Sequence, residues 1–226
     1  LNTILFLNSL DGIINGMNGV QYRTIDGGAT WENTSRLISA VQLNSVSFTS
    51  ENTGYVAGGA GKLFRTLDAG ATWTSQTLIT GESIFKLFFL NSSTGFATSQ
   101  TKLFKTGNSG TNWSSINLAG FQDIHFKDAS NGIVCGTSAN KIATTTNGGT
   151  IWIYNGDDDL TQNLYALSCL PDNQTVIAVG DAGTVVRSIN YGTNWSNIAS
   201  GTSEQLNSVH FANASFGWAC GNNGTI

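Results

Sequence analysis

Apolar and polar residues alternate in short runs along the whole chain. Leu43-Asn44-Ser45-Val46-Ser47-Phe48 is one such run, and alternation over about four to eight residues is the mark of a β-strand. A glycine-aromatic run follows at Gly54-Tyr55-Val56-Ala57-Gly58, then Lys62-Leu63-Phe64-Arg65, and a further strand opens at Trp73. Each run has strand length, and turn residues separate the runs. The pattern predicts four short antiparallel strands per unit, with almost no helix.

The units are placed by one recurring stretch, Ser/Thr-x-Asp/Asn-x-Gly-x-x-Trp. It is carried by Asp26, Gly28 and Trp31; Asp68, Gly70 and Trp73; Asn108, Gly110 and Trp113; Asn147, Gly149 and Trp152; and Asn190, Gly192 and Trp195. The tryptophans are spaced by 42, 40, 39 and 43 residues, the period of a four-stranded propeller blade. A short Asx side chain accepting backbone N–H groups a residue or two ahead lets the chain reverse without orphaned donors. The glycine supplies a positive φ, and the tryptophan is expected to be largely buried at the seam between blades. The predicted fold is an all-β propeller with five complete blades, 1–42, 43–83, 84–122, 123–163 and 164–205, and a truncated sixth at 206–226, in one domain. The sixth unit supplies two strands and stops at Gly224-Thr225-Ile226, so the rest of a longer polypeptide is expected to complete the propeller.

The motif resembles the Asp-box, or bacterial neuraminidase repeat. The unit LNSVSFTSENTGYVAGGAGKLFRTLDAGATW, residues 43–73, is similar to the repeat of the photosystem II assembly-factor propellers, and such repeats occur in many secreted Bacteroidota proteins. The resemblance covers essentially the whole chain and implies the fold. It leaves function open, because Asp-boxes occur in sialidases, sortilins, xyloglucanases and non-enzymatic scaffolds.

Composition narrows the classes. A chain of 226 residues with 40% hydrophobic residues can bury a sizeable core, and 27 glycines against one proline, Pro171, suit many short strands joined by turns. The formal net charge of −4 speaks against nucleic acid. No run of 18 apolar residues is present, so no membrane-spanning helix is expected. Richness in Asn, Ser and Thr suits a secreted or cell-surface protein. Seven Asn-x-Ser/Thr sequons, at Asn33, Asn91, Asn112, Asn173, Asn194, Asn213 and Asn223, are what such a composition produces by chance. Three cysteines do not make a disulfide framework, and Cys135 and Cys220, at one repeat position, are expected to be small buried hydrophobes.

The charged residues supply the candidate binding positions. Seven of ten basic residues lie on third strands in two columns: Arg23, Arg65, Lys105 and Arg187 directly before the box, and Lys62, Lys102 and Lys141 three residues earlier. They are either strand-end residues paired with nearby carboxylates or a ring of positive charge on one face that recruits an acidic partner. Asp157, Asp158 and Asp159 sit together in the loop after the fourth strand of unit four. They lack the alternating ligands and closing glutamate of a calcium loop, so no metal or other cofactor is expected. His125 and His210 share a first-strand position and are read as lining or capping the channel.

Three functional readings remain. The first is a non-catalytic binding or scaffold propeller meeting a protein or glycan ligand through its loop face, opposite the boxes. The second is a sialidase-like or xyloglucanase-like glycoside hydrolase. It needs two placed carboxylates, and removing the acids committed to turns leaves Glu82, Asp123, Asp157, Asp158, Asp159, Asp181 and Glu204 without an evident facing pair. The third, assembly of photosynthetic complexes, follows from the repeat resemblance alone.

Overall fold

The computed structural model describes residues 1–35, 41–139, 141–155 and 160–226. Five four-stranded antiparallel sheets and one two-stranded sheet follow one another, each a meander in chain order. The first uses Thr3–Phe6, Gly12–Asn15, Gln21–Thr24 and Glu32–Asn33, and the second Leu43–Phe48, Gly54–Gly58, Lys62–Thr66 and Thr74–Thr77. The third uses Ile84–Phe89, Gly95–Ser99, Leu103–Thr106 and Ser114–Ile116, and the fourth Phe121–Phe126, Gly132–Gly136, Ile142–Thr145 and Ile153–Tyr154. The fifth uses Leu164–Cys169, Val176–Gly180, Val185–Ser188 and Ser196–Ile198, and the last pairs Leu206–Phe211 with Gly217–Gly221. The sheets are the blades of a β-propeller, and the helical segments among the described residues are three-residue turns.

By proximity the chain forms two compact units, Leu1–Asn117 with blades one to three and Leu118–Ile226 with blades four to six. Within each unit the core lies at the seams. Tyr55, Ala57 and Leu63 of blade two bury against Ile84, Leu87, Ala97 and Phe104 of blade three. In the second unit Ile133, Cys135 and Ile142 of blade four meet Leu164, Leu167, Val176 and Ala178 of blade five. A second strand is therefore covered on both faces, and Gly54–Gly58 is buried at every position. That explains why it reads as a continuous run of glycine, aromatic and aliphatic residues, whereas the first strand alternates.

Backbone donors and acceptors also cross the seams. Leu87 N donates to Ser45 Oγ at 2.9 Å, and Leu167 N to Asp123 Oδ2 at 3.0 Å. Asn2 Nδ2 and Asn44 Nδ2 donate to Leu43 O and Ile84 O of the next blade at 2.9 and 2.8 Å. Each first strand from blade two onward carries a bulge at the same place, at Asn44, Phe85, Gln122, Tyr165 and Asn207. The bulge brings the entering chain against the end of the second strand. A Cβ at Gly58, Gly136, Gly180 or Gly221 would lie 1.8–2.0 Å from a carbonyl oxygen there, so those strand ends must be glycine.

One cross-strand pair repeats with a telling exception. Phe6, Phe48, Phe89, Phe126 and Phe211 each face a glycine, Gly12, Gly54, Gly95, Gly132 and Gly217, on the neighbouring strand. The ring lies over the glycine, and a Cβ on Gly54 would be 2.4 Å from Phe48 Cε1, the packing by which an aromatic covers a strand glycine. In blade five the pair is Cys169 with Val176, so a smaller residue on one strand accompanies a larger one on the other.

One expectation about a side chain needs correction. Cys135 is buried, but Cys220 at the same repeat position is exposed, because its sheet has two strands and no described element covers that face. His210 is exposed, and His125 Nδ1 lies 3.5 Å from the Tyr191 hydroxyl of the next blade's box.

If the Phe–Gly pair is a packing unit, exchanging both members should be far milder than exchanging one. Phe48→Cys and Gly54→Val should each destabilise in urea unfolding. The double variant, which copies blade five, should cost less than the sum of the two by about 1–3 kcal/mol.

Candidate functional site

The box corner is built from a buried hydroxyl outward. Thr24, Thr66, Thr106, Thr145 and Ser188 end the third strands and are 1–2% exposed. Each hydroxyl accepts the N–H of the box glycine, at 2.9, 2.8, 3.0, 3.0 and 2.8 Å for Gly28, Gly70, Gly110, Gly149 and Gly192. Each donates in turn to the Asx Oδ1, at 2.7 Å to Asp26 and Asp68, 3.1 Å to Asn108, 3.0 Å to Asn147 and 2.9 Å to Asn190. The Asx oxygen then takes an N–H four residues on, Thr30, Thr72, Asn112, Ile151 or Asn194, at 2.8–2.9 Å. The donors lie farther along than the residue or two that the motif alone implied, because two consecutive residues take positive φ and widen the corner: Ala69 at 57° precedes Gly70 at 89°.

Asp26 and Asp68 use both oxygens, since the Thr30 and Thr72 hydroxyls donate to Oδ2 at 2.6 Å. Those hydroxyl bonds, then the backbone N–H bonds, hold both carboxyls at about 2 against an ordinary 3.8. The box tryptophans, expected to be largely buried at seams, are half-buried. Trp31, Trp113 and Trp152 meet Phe6, Phe89 and Phe126 of their own blades edge to face at 5.9–6.1 Å. Trp113, Trp152 and Trp195 donate Nε1 to the carbonyls of Gly110, Gly149 and Gly192 at 3.1–3.2 Å, whereas the buried Trp73 Nε1 has no partner among the described residues.

The basic columns do not share one end of the sheet. Arg23, Arg65, Lys105 and Arg187 stand three residues from the box Asx, while Lys62 and Lys141 stand beside the turn from the second to the third strand, at the opposite end. Arg23 pairs with Asp11 at 3.6 Å. The Arg65 guanidinium lies 5.9 Å from the Tyr55 ring centre and Lys105 Nζ 5.7 Å from that of Phe96, and these aromatics are their cross-strand neighbours. Arg187 is exposed. Three of the four are thus held by their own blade, which favours the strand-end reading. Asp157, Asp158 and Asp159 lie outside the described residues.

Four other acids, Asp128, Asp172, Glu82 and Glu204, are held locally. Asp128 Oδ1 and Asp172 Oδ1 each accept two N–H groups in the turn after the first strand, at 2.7–2.9 Å, as Asn8, Asn91 and Asn213 do in their blades. This second recurring Asx turn was readable as a column of short polar residues after each first strand, but the box overshadowed it. Glu82 accepts the Thr101 hydroxyl at 2.6 Å and the Ser99 hydroxyl at 3.0 Å, and the Thr101 bond foremost holds it below the usual carboxylate range. Glu204 Oε2 accepts Asn223 Nδ2 at 2.9 Å. No three His, Cys, Asp or Glu residues among those described come together as metal ligands, and no described helix is long and apolar enough to cross a membrane.

The end opposite the boxes carries the most varied chemistry. Four of its turns share one backbone shape, with Asn18, Ala60, Ala182 and Asn223 at φ 52–55° followed by a glycine. In the second unit, Lys141 Nζ donates to Asn163 Oδ1 at 2.8 Å, and Asn163 Nδ2 donates to Asp181 Oδ2 at 2.9 Å. Partial burial first, then the nearby Asp181 carboxylate, pushes the Tyr165 phenol above the usual range.

Repeated blades fastened at such corners define an Asp-box β-propeller. The family model for photosynthesis system II assembly factor YCF48 matches residues 1–116, and the chain belongs to that family. Among solved structures it is similar to YCF48 bound to D1 peptide, at 18% identity over 98% of this chain and 90% of that one, with a TM-score of 0.65. YCF48 from Cyanidioschyzon merolae gives 16% identity, 99% and 93% coverage and 0.64. The GH74 enzyme of Niastella koreensis gives 17% and 0.76, over 96% of this chain and 43% of that one. At these identities the likeness is one of fold. No curated protein sequence matches the chain.

Two outcomes test the box. Trp113→Phe should cost about 1 kcal/mol for its lost hydrogen bond, and Trp73→Phe, which loses none, should cost less in the same unfolding assay. Because Asp26 and Asp68 have depressed native values, their contribution is complete above the unfolded value near 4 and is lost as pH falls towards about 2. The melting temperature should drop through that window, and less steeply in an Asp26→Asn/Asp68→Asn variant.

Proposed function

We propose that this chain is a non-catalytic binding or scaffold module, exported or at a cell surface, that meets a protein or glycan through the end opposite the boxes. The observation that carries this reading is the contrast between the two ends. The box end repeats one hydrogen-bonded corner five times. The other end keeps the backbone of its turns while changing their side chains from Met17-Asn18 to Gly59-Ala60, Asp181-Ala182 and Asn222-Asn223. Variable side chains on a rigid frame are the usual basis of recognition. The YCF48 structure with a D1 peptide supports a protein ligand for the relative and, by proposal, for this chain; assembly of photosynthetic complexes is the narrower form of that proposal.

The hydrolase reading draws on the GH74 neighbours. It needs a protonated acid and a second carboxylate about 5–10 Å away across a cleft. Glu82 is instead held in its charged form by three donors, and Asp123 is spent on the N–H groups of Ile124 and Leu167. We further propose that the sheet of Leu206–Phe211 and Gly217–Gly221, whose Trp218 is 59% exposed, takes its remaining strands from the same polypeptide.

Incubation with xyloglucan and with a sialoside should release no product. Release that is abolished by a single substitution at Glu82, Asp123, Asp157, Asp158, Asp159, Asp181 or Glu204 would replace the binding module with an enzyme.

A further inference from the structure

In a repeat protein, columns that the fold requires stay uniform from blade to blade, and columns that vary are open to another use. Three columns meet at the end opposite the boxes. The residue before the first strand is Gln42, Ser83, Gly120, Asn163 or Gln205; the bulge residue is Asn44, Phe85, Gln122, Tyr165 or Asn207; and the residue after the second strand is Gly59, Gln100, Thr137, Asp181 or Asn222. Blade five alone combines an amide, a phenol and a carboxylate in these columns, and blade four adds the Lys141 ammonium.

The group is built into the backbone. Asp181 N donates to Asn163 O at 3.0 Å, an approach that Gly180 permits because a Cβ there would lie 1.8 Å from that oxygen. The bulge between Leu164 and Ala166 sets Tyr165 beside the same carboxylate. All four side chains are half-buried, ordered by one another yet reachable from solvent.

Their chemistry selects a ligand class. The Lys141 ammonium and the Asp181 carboxylate offset one another, so the cluster carries no net charge among the described residues. Among the described residues, Lys141 has two N–H donors beyond its bond to Asn163 and Asn163 has one, Asp181 Oδ1 offers lone pairs, and Tyr165 adds an aromatic side chain. Donors and acceptors interleaved on planar side chains beside one aromatic face match vicinal hydroxyls, each of which donates and accepts, on a ring with an apolar C–H face. We propose that Lys141, Asn163, Tyr165 and Asp181 form a binding subsite for a neutral saccharide.

The proposal rests on the binding-module reading, and the test separates the two. The full-length protein is titrated calorimetrically with xyloglucan heptasaccharide, cellohexaose, mannohexaose and chitohexaose, and in parallel with a library of unmodified peptides. At least one neutral oligosaccharide should bind, with affinity lowered tenfold or more by Asp181→Ala and by Tyr165→Ala, and unchanged by Arg65→Ala at the box end. Asp181→Asn, which keeps the shape of the cluster, should retain more affinity than Asp181→Ala, and unchanged circular dichroism shows that each variant is folded. Failure of all four sugars to bind, or binding indifferent to both alanine variants, overturns the saccharide subsite. Peptide binding lost in those variants overturns it too, while leaving the binding module standing.

Discussion

The buried hydroxyl at the end of each third strand is the constraint on which the blades depend. Thr66 Oγ1 accepts Gly70 N and donates to Asp68 Oδ1, so one side chain satisfies the turn and orients the Asx acceptor that closes it. The site is 1% exposed, where an unmade hydrogen bond costs the desolvation of the group left behind. The Asx residue, the conspicuous member of the motif, lies outside in water with its side-chain oxygen pinned. The half-buried tryptophan covers the corner from its own blade.

The fastened corners leave the other end free to vary. Between the two ends, apolar seams and a small set of side-chain-to-backbone bonds hold neighbouring blades in register, so that a turn residue at the free end can change without disturbing a strand. Blade five shows this where Asn163, Tyr165 and Asp181 gather at the free end; its Cys169–Val176 pair, in place of Phe–Gly, is a separate change at the box end of the sheet. Side chains at the free end decide what the molecule meets, and the box end decides that it folds.

Strand order and blade period were legible in the sequence, because alternation and the recurring Ser/Thr-x-Asx-x-Gly-x-x-Trp stretch are local. What depended on register was not. The bulges at Asn44 and Tyr165 cost one residue inside an otherwise alternating run and leave no compositional trace. Burial of the tryptophans was overestimated because rings such as Trp113 and Trp195 lie against the seam clusters from the edge rather than within them. The two basic columns looked like one face because three residues of strand separate opposite ends of a short sheet as surely as they separate positions in a list. The clustering of Lys141, Asn163 and Asp181 joins residues from three segments, and no spacing rule announces it.

Comparing Thr66→Val with Asp68→Ala by chemical unfolding tests the central claim most directly. The valine keeps the shape of threonine and strands the buried Gly70 N–H, so it should cost about 1–3 kcal/mol and more than Asp68→Ala, whose lost donors can turn to water. A Thr66→Val protein as stable as the parent, with Asp68→Ala the more damaging change, would contradict the account.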